Sequence, residues 1–254
     1  MSGYENFANV YDALTENVDY KQRSAYYCAL LRQYGVSDGL LLDLACGTGS
    51  MSLYFAQCGY DVIGVDASAA MLSQAQQKAM QAGENILFLC QPMQELDLYG
   101  TVCGTVCALD SLNHLTDEAD LRETIRRVSL FTEPGGVFLF DVNTPYKHRA
   151  VLGNNVFVYD TPSVYCVWQN ELSAQDTVQI TLDFFEQDAD VYYRSSEQFS
   201  ERAYSVRDLT AILEQNGFSV VGIFAEMTTQ PPQEDTQRIV FAAKKDVEKG
   251  ERNR

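Results

Sequence analysis

With 254 residues, 46% apolar and 21% charged, the chain can bury a full core, as one large domain or one domain with a smaller lobe, and it falls outside the disordered and fibrous classes. Eighteen Lys and Arg against 35 Asp and Glu leave a net charge of −17, which repels a phosphate backbone from most of the surface and argues against nucleic acid as substrate. No uncharged apolar run reaches membrane-spanning length and no basic, apolar leader opens the chain, so a cytoplasmic protein without membrane contact is expected.

Residues 4 to about 34 carry apolar and aromatic positions such as Tyr26, Tyr27, Leu30 and Leu31 at helical spacing, up to a Gly35 to Gly39 break. Leu40 to Leu44 is a short continuous apolar run, as in a parallel strand covered on both faces. Met51, Tyr54, Phe55 and Cys58 then predict a helix ending at Gly59. Asp61 to Val65 predicts a second strand, and Ser68 caps a helix carrying Met71, Leu72, Ala75 and Ala79 up to Gly83. Further strands are expected at 86–89, 102–109 and 137–142, with a helix from about Asp117 to Leu130. This alternation implies right-handed βαβ units and a parallel sheet.

After Pro145 the period changes to two. Val164-Cys166-Trp168, Val178-Ile180-Leu182-Phe184 and Tyr192-Arg194, parted by turns at 173–176 and 187–190, predict a three-stranded antiparallel meander. Ser205 with Asp208 resembles a capping box before Leu209, Ile212 and Leu213, and two last strands follow at 218–224 and 238–243. The expected division is a helical cap 1–39, an α/β domain 40–145 and 204–244, a β insertion 146–203, and a charged tail 245–254.

The segment most informative about function is DLACGTGS, Asp43 to Ser50, between the first strand and its helix. Small residues at Ala45, Gly47 and Gly49 let the backbone turn sharply and let a ligand lie against the main chain. Asp66 closes the second strand, where a carboxylate can accept both hydroxyls of an adenosine ribose; it is also a good helix cap, although Ser68 is available for that job. Seven scattered cysteines read as reduced thiols, and with two histidines and no CxxC pair no metal is expected.

DLACGTGS and VIGVDASAAML resemble the first two motifs of class I S-adenosylmethionine methyltransferases. The likeness continues through FLCQPMQELDL, CALDSLNHL and EPGGVFLFDVNTPYKHR, and FANVYD (7–12) looks like the N-terminal cap of bacterial small-molecule methyltransferases. The resemblance implies a Rossmann-like, seven-stranded, mostly parallel sheet with its last strand antiparallel, a helical cap and a β insertion. It implies S-adenosylmethionine as methyl donor, with S-adenosylhomocysteine as product, and a small-molecule acceptor. Asp43, Ala45, Cys46, Gly47 and Gly49 would shape the methionine pocket and Asp66 would hold the ribose. Ala67 and Met71 would flank the adenine and Met93 would meet its edge. Leu109 and Asp110 would lie near the methionine amino group, and Tyr11 and Arg23 near its carboxylate. Where similar proteins often carry Asp for the adenine amino group this chain has Pro92, with Gln91 or a backbone carbonyl as the substitute. The recurring segment Glu197-x-Phe-x-Glu-Arg-x-Tyr204 implies that Arg202 and Tyr204 line an acceptor cavity.

Sulfonium is already an activated electrophile, so alignment and water exclusion supply most of the acceleration. Where a proton must leave the acceptor, Asp110, His114 and Asp141 at strand ends are the candidate bases, and Asn113 a candidate orienting amide. A silent S-adenosylmethionine-binding module is the alternative of another class. An NAD-dependent dehydrogenase is a further one, because Gly47-x-Gly49 followed by Ser52 is a degraded dinucleotide fingerprint.

Overall fold

Apolar runs separated by helical periodicities build a sheet covered on both faces in the structure, a computed structural model that describes residues 18–162 and 164–247. The elements in chain order are α1 (Tyr20–Gln33), β1 (Gly39–Leu44), α2 (Ser50–Gln57), β2 (Tyr60–Asp66), α3 (Ala69–Ala82), β3 (Leu87–Cys90), β4 (Val102–Cys107), α4 (Glu118–Phe131) and β5 (Thr132–Asn143). Then come β6 (Val156–Asp160), β7 (Val164–Leu172), β8 (Thr177–Asp188), β9 (Val191–Arg202), α5 (Val206–Gln215), β10 (Phe218–Ala225) and β11 (Arg238–Lys245). Seven strands form the main sheet in the order β10-β11-β5-β4-β1-β2-β3. Strands β1 to β5 pair in parallel, and β11 lies antiparallel to both β5 and β10.

Strand parity divides the core. On one face Leu42, Leu44, Val65, Phe138 and Phe140 pack against Ile125 and Val128 of α4 and Leu209 and Ile212 of α5. On the other, Leu41, Val62, Val106 and Leu139 meet Tyr27, Leu30 and Leu31 of α1 and Phe55 of α2. Helix ends follow their capping residues: Ser68 accepts the Met71 amide at 3.3 Å, Gly83 closes α3 at φ 71°, and Ser205 accepts the Asp208 amide at 3.1 Å.

The insertion is a separate antiparallel sheet of four strands, β6-β7-β8-β9, one more than the alternation predicts. Strand β6 escapes the pattern because Val156 and Val158 are 58% and 53% exposed; it is an edge held by pairing with β7 and by Phe157, which packs against the core of the insertion. Val164, Cys166, Val178, Ile180, Leu182 and Phe184 form its own core, which closes over Leu152 and over Met71 from α3. That contact brings the insertion onto the end of the main sheet where β1 and β2 terminate. Among the described residues no helix is long and apolar enough to cross a membrane.

Candidate active site

Strand order reverses between β1 and β4, and loops leaving their C-terminal ends part to open a crevice. A cavity of about 580 Å³ lies there, floored by the main sheet and walled by the insertion. At one end the loop after β1 turns through three left-handed residues, Ala45, Gly47 and Gly49, at φ 59°, 55° and 71°. Asp66 fixes that turn: one carboxylate oxygen accepts the Gly47 amide at 2.9 Å and the other the Ser68 amide at 2.8 Å. Lys78 adds a second anchor, donating to the hydroxyls of Thr48 and Ser50 at 2.8 and 2.9 Å.

The two glycines serve different ends. A Cβ on Gly47 would meet nothing within 4 Å, leaving the main chain open to a ligand, whereas one on Gly49 would sit 2.8 Å from the Ala75 Cβ where α3 packs on the loop. Below the loop Asp43 is buried and accepts the Ser52 hydroxyl at 2.5 Å. Burial, with the Asp66 charge, pushes its carboxyl up to about 7 against that hydrogen bond. An open backbone cradle bracketed by two carboxylates suits a ligand with a ribose and a positive charge, and it disfavours a pyrophosphate.

The far end of the cavity is polar and then aromatic. Asp110, His114, Asn143, Lys147, Glu201 and Arg238 converge there, with Tyr159, Trp168 and Phe199 along the insertion wall. Burial would raise the Asp110 carboxyl, but Arg238, 3.0 Å away, together with Lys147 and His114 holds it down at about 2. Glu201 goes the other way: burial, joined by repulsion from Asp110, pushes it up to about 8. Burial lowers His114 despite the attraction of Asp110 and Asp66.

The expected site residues divide between the cavity and its scaffold. Asp43, Ala45, Cys46, Gly47, Asp66, Ala67, Met71, Met93, Leu109, Asp110 and His114 line the cavity, as does Pro92. Asp141 does not. It is fully buried, and its oxygens accept the Tyr27 hydroxyl at 2.5 Å, the Leu109 and Asp110 amides at 2.9 and 2.7 Å and the Arg238 guanidinium at 2.7 Å. Four donors occupy all the acceptor positions of a carboxylate, leaving none for a proton from an acceptor. Its task is to hold Leu109 and Asp110, both left-handed at φ 58° and 53°.

Asn113 is likewise structural: its amide bridges Asn143 and the Arg202 carbonyl at 2.9 Å. Gln91 spends both side-chain groups on the backbone of Asp97. Arg23 pairs with Glu226 at 2.6 Å outside the lining. Arg202 donates to the Thr116 carbonyl and stacks over Tyr204, which itself donates to Leu115, so neither reaches the cavity. Tyr11 lies outside the described residues.

Sequence reasoning missed Lys147, Asn143, Arg238 and above all Glu201. The signal for Glu201 was strand parity: in β9, Glu197 and Glu201 are buried and share a face with Phe199, one residue out of step with Arg202.

A family model described as "Methyltransferase domain" matches residues 41–136. The methyltransferase-family protein YqeM of Bacillus subtilis (strain 168) is 34% identical over 245 residues, covering 95% of this chain and 97% of that protein. An S-adenosylmethionine-dependent methyltransferase from Clostridium acetobutylicum ATCC 824 superposes with a TM-score of 0.88 at 32% identity, over 96% of this chain and all of that one. A dTDP-3-amino-3,6-dideoxy-alpha-D-glucopyranose N,N-dimethyltransferase of Streptomyces fradiae is 28% identical over 136 residues, 53% of this chain and 52% of that protein.

Proposed function

The chain belongs to the class I S-adenosylmethionine-dependent methyltransferases, and from that premise we propose that it methylates a small-molecule acceptor held between the main sheet and the β insertion. One observation carries this reading. The cavity that begins at the Asp43 to Ser50 loop extends to the insertion strands at Trp168 and Glu201. Room for an acceptor therefore adjoins the cofactor end, which a module that only stores the cofactor does not need.

When bound, S-adenosylmethionine supplies a sulfonium methyl group, an electrophile that needs no further activation. The residues of the chain bind and orient. Asp66 retains acceptor capacity beyond its two amide bonds for the ribose hydroxyls, and Ala67, Met71 and Met93 offer the apolar slot for the base. Asp43, whose carboxyl a nearby positive charge would return to its ionised form, complements the sulfonium end. Asp110, an anion held by Arg238, marks the boundary between donor and acceptor, and the insertion wall excludes water from the transfer.

Calorimetry with S-adenosylmethionine, S-adenosylhomocysteine and NAD tests the cofactor end, and formation of S-adenosylhomocysteine from a metabolite extract tests transfer. Micromolar binding of the first two and acceptor-dependent turnover are expected. Tighter binding of NAD would overturn the cofactor assignment, and binding without turnover would leave the silent module.

A further inference from the structure

The chain has two histidines, and both face one carboxylate. His114 Nε2 lies 3.7 Å from one oxygen of Glu201, and His148 Nε2 lies 3.9 Å from the other. The three come from different parts of the fold: His114 from the turn after β4, His148 from the turn after β5, Glu201 from β9 of the insertion. Asn143 of β5 completes the group, donating to Glu201 at 3.3 Å.

The tautomer of His148 follows from its other nitrogen. Nδ1 is 2.7 Å from the Asp176 carbonyl, which can only accept, so Nδ1 carries the proton and Nε2 presents a lone pair. That Nε2 is fully buried, makes no hydrogen bond among the described residues, and points at Glu201. A buried lone pair opposite a carboxylate is unfavourable unless a proton lies between them for part of the cycle. Glu201 also lines the cavity, beside the Trp168 and Phe199 rings.

We propose that Glu201, backed by His148 and flanked by His114, is the catalytic residue that takes the proton of the methyl acceptor, and that the acceptor is a primary or secondary amine entering as its ammonium ion. The inference rests on the methyl-transfer reading above. Carboxylate and aromatic faces together recognise an ammonium group. The ammonium gives one proton to Glu201, and the freed nitrogen lone pair forms the N–C bond as the S–C bond of the donor breaks, its electron pair staying on sulfur. Glu201 then shares its proton with the Nε2 lone pair of His148.

An ordinary carboxylate is a poor base for an alkylammonium near pKa 10, about six units away; at about 8, Glu201 narrows the gap to about two. Asp110, Lys147, His148, His114 and Arg238 are the charged and titratable groups around it, and transfer to the amine should rise with pH through the Glu201 value.

The experiment has three readouts. With two imidazoles in the chain, proton NMR of the ligand-free protein resolves each against pH. Both should share an inflection near 8 that Glu201→Gln removes; an inflection unchanged in the variant overturns the coupling. Next, a metabolite extract of the native cells is divided, one half acetylated to block amines, and both halves are incubated with methyl-labelled S-adenosylmethionine. Label confined to the unblocked half supports an amine; label persisting after acetylation overturns it; label in neither half overturns the methyl-transfer reading itself and this inference with it. Glu201→Gln and His148→Gln, shown to be folded by unchanged affinity for S-adenosylhomocysteine, should lose transfer at least a hundredfold and tenfold respectively, with the acidic limb of the pH profile gone in the first. Full rate with the limb intact in Glu201→Gln overturns the assignment.

Discussion

At the scale of single residues, Asp66 and Asp141 show how one side-chain type takes opposite roles by count of partners. Asp66 accepts two amides and faces the cavity, so half its acceptor capacity is open to a ligand. Asp66→Ala should weaken S-adenosylhomocysteine binding by about 1.5–3 kcal/mol, the scale of hydrogen bonds to a charged group, as read by calorimetry. Unchanged affinity in a folded variant would reduce Asp66 to an anchor of the loop. Asp141 has no capacity left. Asp141→Asn sets an amide N–H against at least one of its four donors, so urea denaturation should register a loss of about 3 kcal/mol. Stability within about 0.5 kcal/mol of the parent would mean the carboxylate is not the hub of the 109–110 turn.

Among elements, the insertion joins the α/β sheet to the far wall of the cavity, where the acceptor is proposed to bind. Its inner face splits between a core of its own, where Phe184 is fully buried, and the cavity wall, where Trp168 stands. Tyr192 and Tyr193, on β9 beyond that wall, are 57% and 60% exposed and serve neither. The Trp168 indole donates to Asn170 at 2.5 Å and contacts Tyr159 and Phe157, which fixes the plane of the wall. Trp168→Ala removes that surface from the acceptor end while leaving the Asp43 to Ser50 loop untouched. Once an acceptor is known, kcat/KM should fall at least tenfold, the cost of losing about 1.4 kcal/mol of acceptor contact, with S-adenosylhomocysteine affinity unchanged. An equal loss of cofactor affinity would place Trp168 at the donor end instead.

Across the whole molecule, buried carboxyls set the response to pH. Asp43 and Glu201 titrate at about 7 and about 8 in the fold, above the roughly 4 of an unfolded chain, so their contribution is fully present below about pH 4 and is lost as pH rises through the folded values. Asp110, held at about 2, acts in the opposite sense, and its contribution is lost only as pH falls from about 4 towards 2. The ligand-free protein should therefore be more stable to urea at pH 5.5 than at pH 8.5, and S-adenosylmethionine, a cation proposed to bind beside Asp43, should narrow the difference. Greater stability at pH 8.5 in the ligand-free state would contradict the raised values. The strand and helix alternation, the glycine loop and Asp66 were all legible in the chain, because each is a local pattern: period, cap and turn chemistry act within a few residues. The edge strand Val156–Asp160 was not legible, because exposed valines leave no alternation. Nor was the assignment of partners. Asp141 and Glu201 are both acidic residues near strand ends, and only the packing of α1, β4, β5, β9 and β11 decides that the first meets four donors and the second meets two histidines and a cavity. What the sequence by itself determined is therefore the sheet, its loop and the cofactor class; what only the tertiary structure decided is which carboxylate is scaffold and which lines the cavity, since that depends on desolvation and on partners brought together from residues far apart in the chain.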